Sequence, residues 1–222
     1  MKKIESFEGD RVSHYDNSIR KWFPGYDNLI ELLFPLLKSR LAPTADHKIL
    51  VVGCGSGNEL NILARLRPEW EFVGVDPSEQ MIALATEKTA KLPNVRLIKG
   101  TVENVNESFD AITCILVTHF FEIEVKKEIY HCIYKHLNEG GIFILADITG
   151  SKNSFNKNFD LFKTYQELNI DDDTLPKGLN HIVNDLHYIA EEELISLLKS
   201  EGFKKVTKFF QWLIYDAWLV EK

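Results

Sequence analysis

The chain has 222 residues, of which 45% are hydrophobic and 27% charged, the proportions of a folded globular protein. A net charge of −7 argues against direct nucleic-acid binding, and no apolar run is long enough to cross a membrane. The three cysteines are far apart in sequence, which predicts neither a disulfide framework nor a zinc site. We therefore expect a single domain over residues 1–222, located in the cytoplasm.

The N-terminal segment is rich in charged and aromatic side chains and precedes the first predicted strand. We expect residues 1–46 to form a helical cover, with apolar residues at helical spacing from Tyr26 to Leu41 and an interruption at Pro35. A polar linker over 42–46 ends this segment.

A short apolar run at 49–52 then ends in the alternating glycines Gly53, Gly55 and Gly57. The run is typical of a buried parallel strand, and apolar spacing from Glu59 to Leu66 predicts a helix directly after the glycines. A strand, a glycine loop and a helix N-terminus together predict a nucleotide site. A dinucleotide fingerprint would place its third glycine at Asn58, so this spacing argues against NAD or FAD.

Four further strands are predicted to alternate with helices, at 72–75, 95–98, 109–117 and 142–146. Ser78 is a suitable N-cap for one of these helices, and another is expected from Phe120 to Leu137, with a glycine stop at 138–141. The alternation predicts an α/β fold with a doubly wound, mostly parallel sheet, whose ligands lie beyond the carboxyl ends of the strands.

The last third of the sequence departs from this alternation. Residues 150–188 are predicted to form an inserted helical lid, interrupted at Asp171–Asp173 and broken again at Pro176–Gly178. A helix over 190–200 and two strands, 203–209 and 211–220, close the chain as an antiparallel hairpin.

The glycine loop and the acid that ends the second strand, Glu71–Asp76, resemble motif I and the ribose-binding acid of class I S-adenosylmethionine-dependent methyltransferases. The terminal hairpin would complete the seven-stranded, Rossmann-like sheet of that class. The Pro-Gly-Tyr at 24–26 and the Phe-Gln-Trp at 210–212 are similar to the carboxy-S-adenosylmethionine synthase group, enzymes of wobble-uridine modification in tRNA.

This resemblance implies S-adenosylmethionine as cofactor and S-adenosylhomocysteine as product. The cofactor-binding residues that it implies are Gly53, Cys54 and Gly55 at the methionine portion, Asp76 and Pro77 at the ribose, Met81, Thr101 and Val102 at the adenine, and Tyr26 and Ile115. Arg20 is either a partner of the cofactor carboxylate or an exposed surface residue.

The sequence also departs from the family pattern. Val51 stands where most of these enzymes have an acid, so the cofactor's ammonium group must be held by backbone carbonyls, water or another side chain. Thr101 replaces the usual aspartate at the adenine. The synthase group clamps an extra carboxylate with an arginine, and the matching stretch, 177–179, contains none. Methyl transfer is therefore favoured over carboxy transfer.

His119 and Asp147, at predicted strand ends, are the candidates for a general base, with His14 and Tyr15 of the cover as further candidates. Each of them has a structural role in positioning or capping as the alternative. His131 and His136 do not share a helix face, and Asp171–Asp173 lacks the spacing of a calcium loop, so we expect no metal.

The sequence thus predicts an S-adenosylmethionine-dependent methyltransferase that acts on a small molecule. A carboxy-S-adenosylmethionine synthase-like enzyme is the first alternative, which binding of a carboxylic acid such as prephenate would favour. A non-catalytic cofactor-binding subunit and, more distantly, an NAD oxidoreductase are the others. We expect neither nucleic-acid nor membrane binding, and family likeness implies a homodimer.

Overall fold

A computed structural model describes Gly9, Val12, residues 14–43 and residues 46–222. The first part of the predicted cover and residues 44–45 of the predicted linker lie outside the described residues. Helices and strands are numbered below in chain order within the described part.

Within residues 14–43, two helices precede the sheet, α1 (Tyr15–Trp22) and α2 (Tyr26–Arg40). The apolar side chains that predicted α2 lie along one buried face, and Pro35 is accommodated inside the helix. The side chains of this face pack against the first strand and form one of the two hydrophobic cores of the molecule.

Strands and helices alternate from β1 onward, as predicted. Their bounds are β1 Lys48–Val52, α3 Asn58–Leu66, β2 Glu71–Asp76, α4 Glu79–Thr89, β3 Val95–Lys99, β4 Phe109–Ile115, α5 Ile123–His136, β5 Leu137–Gly150, α6 Phe155–Glu167, α7 Leu175–Asn184, β6 Ile189–Ala190, α8 Glu191–Ser200, β7 Lys205–Trp212 and β8 Tyr215–Glu221.

These strands form one sheet in the order β3-β2-β1-β4-β5-β8-β7, while β6 pairs with the end of β5. Strands β1 to β5 run parallel, and β8 is antiparallel to both β5 and β7. The predicted doubly wound, mostly parallel α/β sheet is confirmed. The strand order reverses beside β1, so the loops after β1 and β4 meet at the carboxyl edge, where such sheets bind ligands.

Both faces of the sheet are covered. Alternate residues of β1 point to opposite sides: Ile49 and Val51 join the core under α2 and α3, while Leu50 and Val52 join the core under α5 and α8. A strand buried on both faces must be apolar throughout, which explains the continuous run that the sequence shows there.

Three predicted boundaries in the middle of the chain are wrong. Strand β4 ends at Ile115 rather than at 117, because Leu116 turns the chain with a φ of 59°. A 3-10 turn over Thr118–Phe120 follows, so α5 begins only at Ile123. Residues 138–141, predicted as a glycine stop, belong to β5. This strand begins at Leu137, which pairs with Phe109 of β4.

The lid consists of α6 and α7. The predicted break at 176–178 is wrong, since Pro176 lies in the first turn of α7, where a missing N–H costs nothing. The hairpin turn is also displaced, because β7 continues to Trp212 and β8 begins at Tyr215. Among the helices of the described residues, none is long and apolar enough to span a membrane.

Candidate active site

The glycine loop follows β1 at the carboxyl edge of the sheet. Gly53 and Gly57 have φ values of 66° and 80°, which side-chain-bearing residues rarely adopt. A Cβ atom on Gly53 would also lie 2.4 Å from Cγ2 of Val117. The loop therefore brings its bare backbone close to the segment after β4 and opens a cleft between the two.

Asp76, the last residue of β2, ties this loop to the neighbouring strand. Its Oδ2 accepts the Gly55 N–H and its Oδ1 accepts the Ser78 N–H, each at 2.9 Å. Burial raises the pKa of Asp76 although both N–H groups favour the charged form. Ser78 caps α4 by accepting the Met81 N–H at 3.2 Å, as predicted. The carboxylate is thus fixed at the edge of the cleft.

Most of the implied cofactor residues line this cleft. Its two adjoining cavities contain, among the described residues, Gly53, Gly55, Asp76, Pro77, Met81, Ile115, Thr101 and Val102. The arrangement offers a carboxylate beside an apolar shelf and exposed loop backbone. These groups suit a nucleoside that has free ribose hydroxyls and no phosphate. S-adenosylmethionine is such a molecule.

Three implied residues lie elsewhere. Cys54 belongs to the loop but its side chain is buried, Tyr26 is buried near Asn58, and neither is among the described lining residues of the cleft. Arg20 donates from Nε to the carboxylate of Asp27 at 2.8 Å and from Nη1 to the carbonyl of Asp16 at 2.7 Å. Its guanidinium is therefore already engaged by other groups of the protein, and Arg20 is not among the described lining residues of the cleft.

A second cavity of about 480 Å³ adjoins the cleft between α1, the lid and the ends of β4 and β5. It is walled mainly by apolar and aromatic side chains, and its polar members include three histidines. The described lining residues are His14, Tyr15, Ser18, Ile19, Trp22, Leu116, His119, Phe120, Ile148, Gly178, His181, Ile182, Leu186 and Tyr215. The described part of this lining contains no lysine, arginine or carboxylate.

His119 and Asp147, the predicted base candidates, contact each other at the inner end of this cavity. Nδ1 of His119 is hydrogen-bonded to Oδ1 of Asp147, and the Thr118 hydroxyl donates to Oδ2. The Ile148 N–H donates a third hydrogen bond to Asp147 at 2.8 Å. Burial would raise the pKa of Asp147, but His119, Lys126 and Thr118 together hold it below its ordinary value.

The carboxylate of Asp147 therefore orients the imidazole. An ionised Asp147 accepts a hydrogen bond from Nδ1–H, which leaves Nε2 as the nitrogen that can accept a proton, the arrangement found in catalytic aspartate–histidine pairs. No other described residue is hydrogen-bonded to Nε2, and His119 lines the cavity. The pair can thus accept a proton from a molecule held there.

Helix α1 covers the cleft through a polar cluster that the sequence did not predict. Asp16 accepts hydrogen bonds from Ser56 (2.6 Å), Asn58 (2.8 Å) and Lys88 (2.8 Å). These contacts place Tyr15 in the lining of both the cleft and the second cavity. The contacting residues are distant in sequence and no local pattern links them, so only the fold could reveal the cluster.

Glu59 is a second residue that the sequence analysis missed. It lies in the first turn of α3, yet only 8% of its surface is exposed. Its position among the apolar residues of that helix was an available signal, since buried carboxylates are uncommon outside functional sites. In the described part of the chain, no cluster of side chains could hold a metal ion.

Comparison with protein families matches residues 50–143 to a methyltransferase domain. Among curated proteins, the chain is 30% identical to the carboxy-S-adenosyl-L-methionine synthase of Campylobacter curvus, covering all of this chain and 96% of that protein. It is 29% identical to the synthase of Campylobacter jejuni, covering all of this chain and 95% of that protein.

Solved structures support the fold. The magnesium protoporphyrin IX methyltransferase of Synechocystis PCC 6803, with bound SAH, superimposes with a TM-score of 0.68 at 13% identity, covering 91% of this chain and 86% of that one. A plantazolicin methyltransferase in complex with SAH gives a TM-score of 0.67 at 16% identity, covering 94% and 88%. The cleft described above lies in a fold that binds this ligand in both proteins.

Proposed function

From the premise that this chain belongs to the carboxy-S-adenosyl-L-methionine synthase family and carries a methyltransferase domain, we propose that it transfers a methyl group to a small, neutral aromatic acceptor. S-adenosylmethionine is the proposed cofactor and S-adenosylhomocysteine the product. The observation that carries the proposal is the oriented pair of His119 and Asp147, at the end of an apolar cavity that adjoins the glycine loop.

The residues of the cleft would hold the cofactor in two ways. Asp76 would accept hydrogen bonds from ribose hydroxyls, and the loop backbone at Gly53 and Gly55 would support the methionine portion. When bound, S-adenosylmethionine supplies a methyl group already activated on its sulfonium, so the protein has mainly to align the acceptor and exclude water. Tyr15, which lines both spaces, separates the cofactor cleft from the acceptor cavity.

The acceptor cavity determines which molecules can react. Its aromatic walls favour a flat ring, and the described lining, which has no lysine or arginine, offers little to bind phosphates and polycarboxylates. His119 Nε2 would take the proton of a phenolic hydroxyl or ring N–H as its oxygen or nitrogen forms the new bond to the methyl carbon. Asp147 stabilises the imidazolium that results, which is the role that its buried carboxylate can perform without changing its own protonation.

The carboxy-S-adenosylmethionine synthase reaction is the second candidate, because similarity to the Campylobacter synthases covers the whole chain. The cavity argues against it, since a carboxylate-bearing sulfonium needs a cation that the described lining does not provide. Lys177, the nearest candidate on α7, is exposed to solvent and does not belong to that lining. Gly178 has no side chain and faces the indole of Trp22.

Calorimetric titration with S-adenosylmethionine, S-adenosylhomocysteine and NAD would test the cofactor. We expect the first two to bind and NAD not to, and Asp76→Ala to weaken binding about tenfold or more, since a lost hydrogen bond to a charged group costs about 1.5–3 kcal/mol. Binding of NAD alone would overturn the proposal. The exposed Glu79→Gln, next to the same cleft, is the matched control.

The acceptor proposal is tested separately by mass spectrometry of reactions with a panel of phenols and N-heterocycles, and with prephenate. Methylated products and S-adenosylhomocysteine support methyl transfer. A product with an added carboxyl group, formed only with prephenate, would support the synthase activity instead. Cofactor binding without any product across both panels would indicate the non-catalytic alternative.

A further inference from the structure

Glu59 presents a buried carboxyl group beneath the glycine loop. It accepts a hydrogen bond from the Thr113 hydroxyl of β4. Thr113 pairs with Val51 of β1, one residue before the strand ends at Val52. The carboxyl of Glu59 therefore lies against the boundary between β1 and β4, directly below the loop that carries Gly53 and Gly55.

Among the described residues, no cation compensates this carboxyl. The titratable groups that interact electrostatically with it are Tyr15 of α1, Tyr26 of α2, Cys54 of the loop and Cys114 of β4. Burial raises the pKa of each of these groups, so all four are neutral near neutral pH. No lysine, arginine or histidine of the described residues is paired with Glu59.

Such a group is costly for the empty protein. Burial raises the pKa of Glu59 to about 7, although the hydrogen bond from Thr113 favours the charged form. An isolated buried carboxylate is normally replaced by an apolar residue or paired with a positive charge. Its presence beneath a ligand-binding loop indicates that the positive charge comes with the ligand.

The orientation of the cleft identifies which part of the ligand that is. Asp76 marks the ribose end at β2, and Thr101 marks the adenine end beyond β3. The remaining portion of a nucleoside cofactor must therefore extend over β1 toward β4. The hydrogen bond from Thr113 of β4 places Glu59 on that side of the loop. In S-adenosylmethionine this portion carries the ammonium group.

We propose that Glu59 is a positioning residue whose carboxylate attracts the ammonium group of the cofactor's amino-acid portion across the glycine loop. The inference rests on the proposed cofactor and adds a residue to its site. It implies that Glu59 favours cofactor binding and lowers the stability of the ligand-free protein. A substitution that removes its charge must therefore move cofactor affinity and the stability of the empty protein in opposite directions.

The test uses calorimetric titration at about pH 7.5 with three ligands. S-adenosylmethionine and S-adenosylhomocysteine both carry the ammonium group, while 5′-methylthioadenosine has the same nucleoside but no amino-acid portion. We expect Glu59→Gln to weaken the first two by about tenfold, as expected for charges separated by one layer of protein. Binding of 5′-methylthioadenosine stays unchanged, and so does all binding by the surface control Glu79→Gln.

The pH profile distinguishes a charge effect from a structural one. Between about pH 5.5 and 7.5, wild-type affinity for S-adenosylhomocysteine should rise as Glu59 ionises, while that of Glu59→Gln stays flat. Thr113→Val removes a hydrogen bond to the carboxylate, so it should displace the rise to higher pH. Glu59→Asp, which keeps the charge, should restore part of the affinity and the slope.

The outcomes separate this inference from the proposed function. If the wild type binds none of the three nucleosides, the cofactor proposal itself fails. If the wild type binds and Glu59→Gln binds equally well, only the role of Glu59 is overturned. Equal weakening of all three ligands, or a lower melting temperature of the empty Glu59→Gln protein, would show a structural role and overturn the inference as well.

Discussion

Asp147 combines complete burial with three hydrogen-bond donors, and this explains how it can stay ionised in the core. The Thr118 hydroxyl that it binds also contacts the Tyr130 hydroxyl at 2.9 Å, and Lys126 holds the Thr118 carbonyl at 2.7 Å. Each donor fixes the next, so the imidazole of His119 is held by a network rather than by one contact.

This network predicts how catalysis responds to substitution of either member of the pair. Asp147→Asn should lower kcat by about 10²- to 10⁴-fold, the usual contribution of a positioned base, because an amide cannot fix the required tautomer of His119. His119→Gln should lower kcat similarly. The measurement is kcat with the methyl acceptor identified in the product screen.

Cofactor affinity serves as the control for both variants, because neither side chain is assigned to the cofactor. An unchanged dissociation constant for S-adenosylhomocysteine would show that the cleft is intact. If His119→Gln kept the wild-type kcat, the histidine would be a packing residue and the general-base assignment would be wrong.

Helix α1 meets the lid through a close contact between Trp22 and Gly178 of α7. A Cβ atom at Gly178 would lie 2.0 Å from Cζ2 of Trp22, whose ring also packs against Phe162 of α6. Replacing glycine by alanine inside a helix normally gains about 1 kcal/mol. Here the steric overlap with Trp22 should outweigh that gain. We therefore expect Gly178→Ala to destabilise the protein by about 1–3 kcal/mol, as overpacking does.

Urea denaturation of the single and double variants measures this contact. Trp22→Leu should weaken the lid by itself, and the double variant Trp22→Leu with Gly178→Ala should lose less stability than the sum of the two. Additive losses would mean that the two positions do not compete for the same space.

The helix and strand boundaries show where sequence patterns are informative. The buried strand β1 and the capped helix α4 follow from local chemistry, apolar β-branched residues in one case and a Ser78 cap in the other. The end of β4 does not, because Leu116 adopts a positive φ that its side chain gives no reason to expect. The break predicted at Pro176 is wrong for another reason. Proline disrupts the interior of a helix but is favoured in its first turn, where Pro176 lies.

At the scale of the whole molecule, alternation predicted the sheet and the location of the cleft, because parallel strands place their carboxyl ends together. The second cavity was not predictable in the same way. It is closed by Trp22 of α1 and Leu186 beyond α7, which meet only after the chain has folded over the sheet edge. Residue spacing carries no information about such contacts.

Buried acids should make the stability of the empty protein depend on pH. Glu59, with its pKa raised to about 7, binds a proton in the folded state that it releases in the unfolded state, so stability falls as pH rises from its ordinary value of 4.5. One pKa unit corresponds to about 1.4 kcal/mol, so the free energy of unfolding should fall by at most about 3 kcal/mol by pH 8. Burial raises the pKa values of Asp76 and Asp216 too, and these act in the same direction.

Asp147 acts in the opposite sense, since its lowered pKa contributes stability that is lost as pH falls through its folded value. The free energy of unfolding should therefore reach its maximum in mildly acidic solution and decline on both sides. Urea denaturation at about pH 4, 5, 6.5 and 8, followed by tryptophan fluorescence, measures this curve. Glu59→Gln should flatten the alkaline side and leave the acidic side unchanged. A wild-type curve that is level between pH 5 and 8 would contradict the uncompensated burial of Glu59.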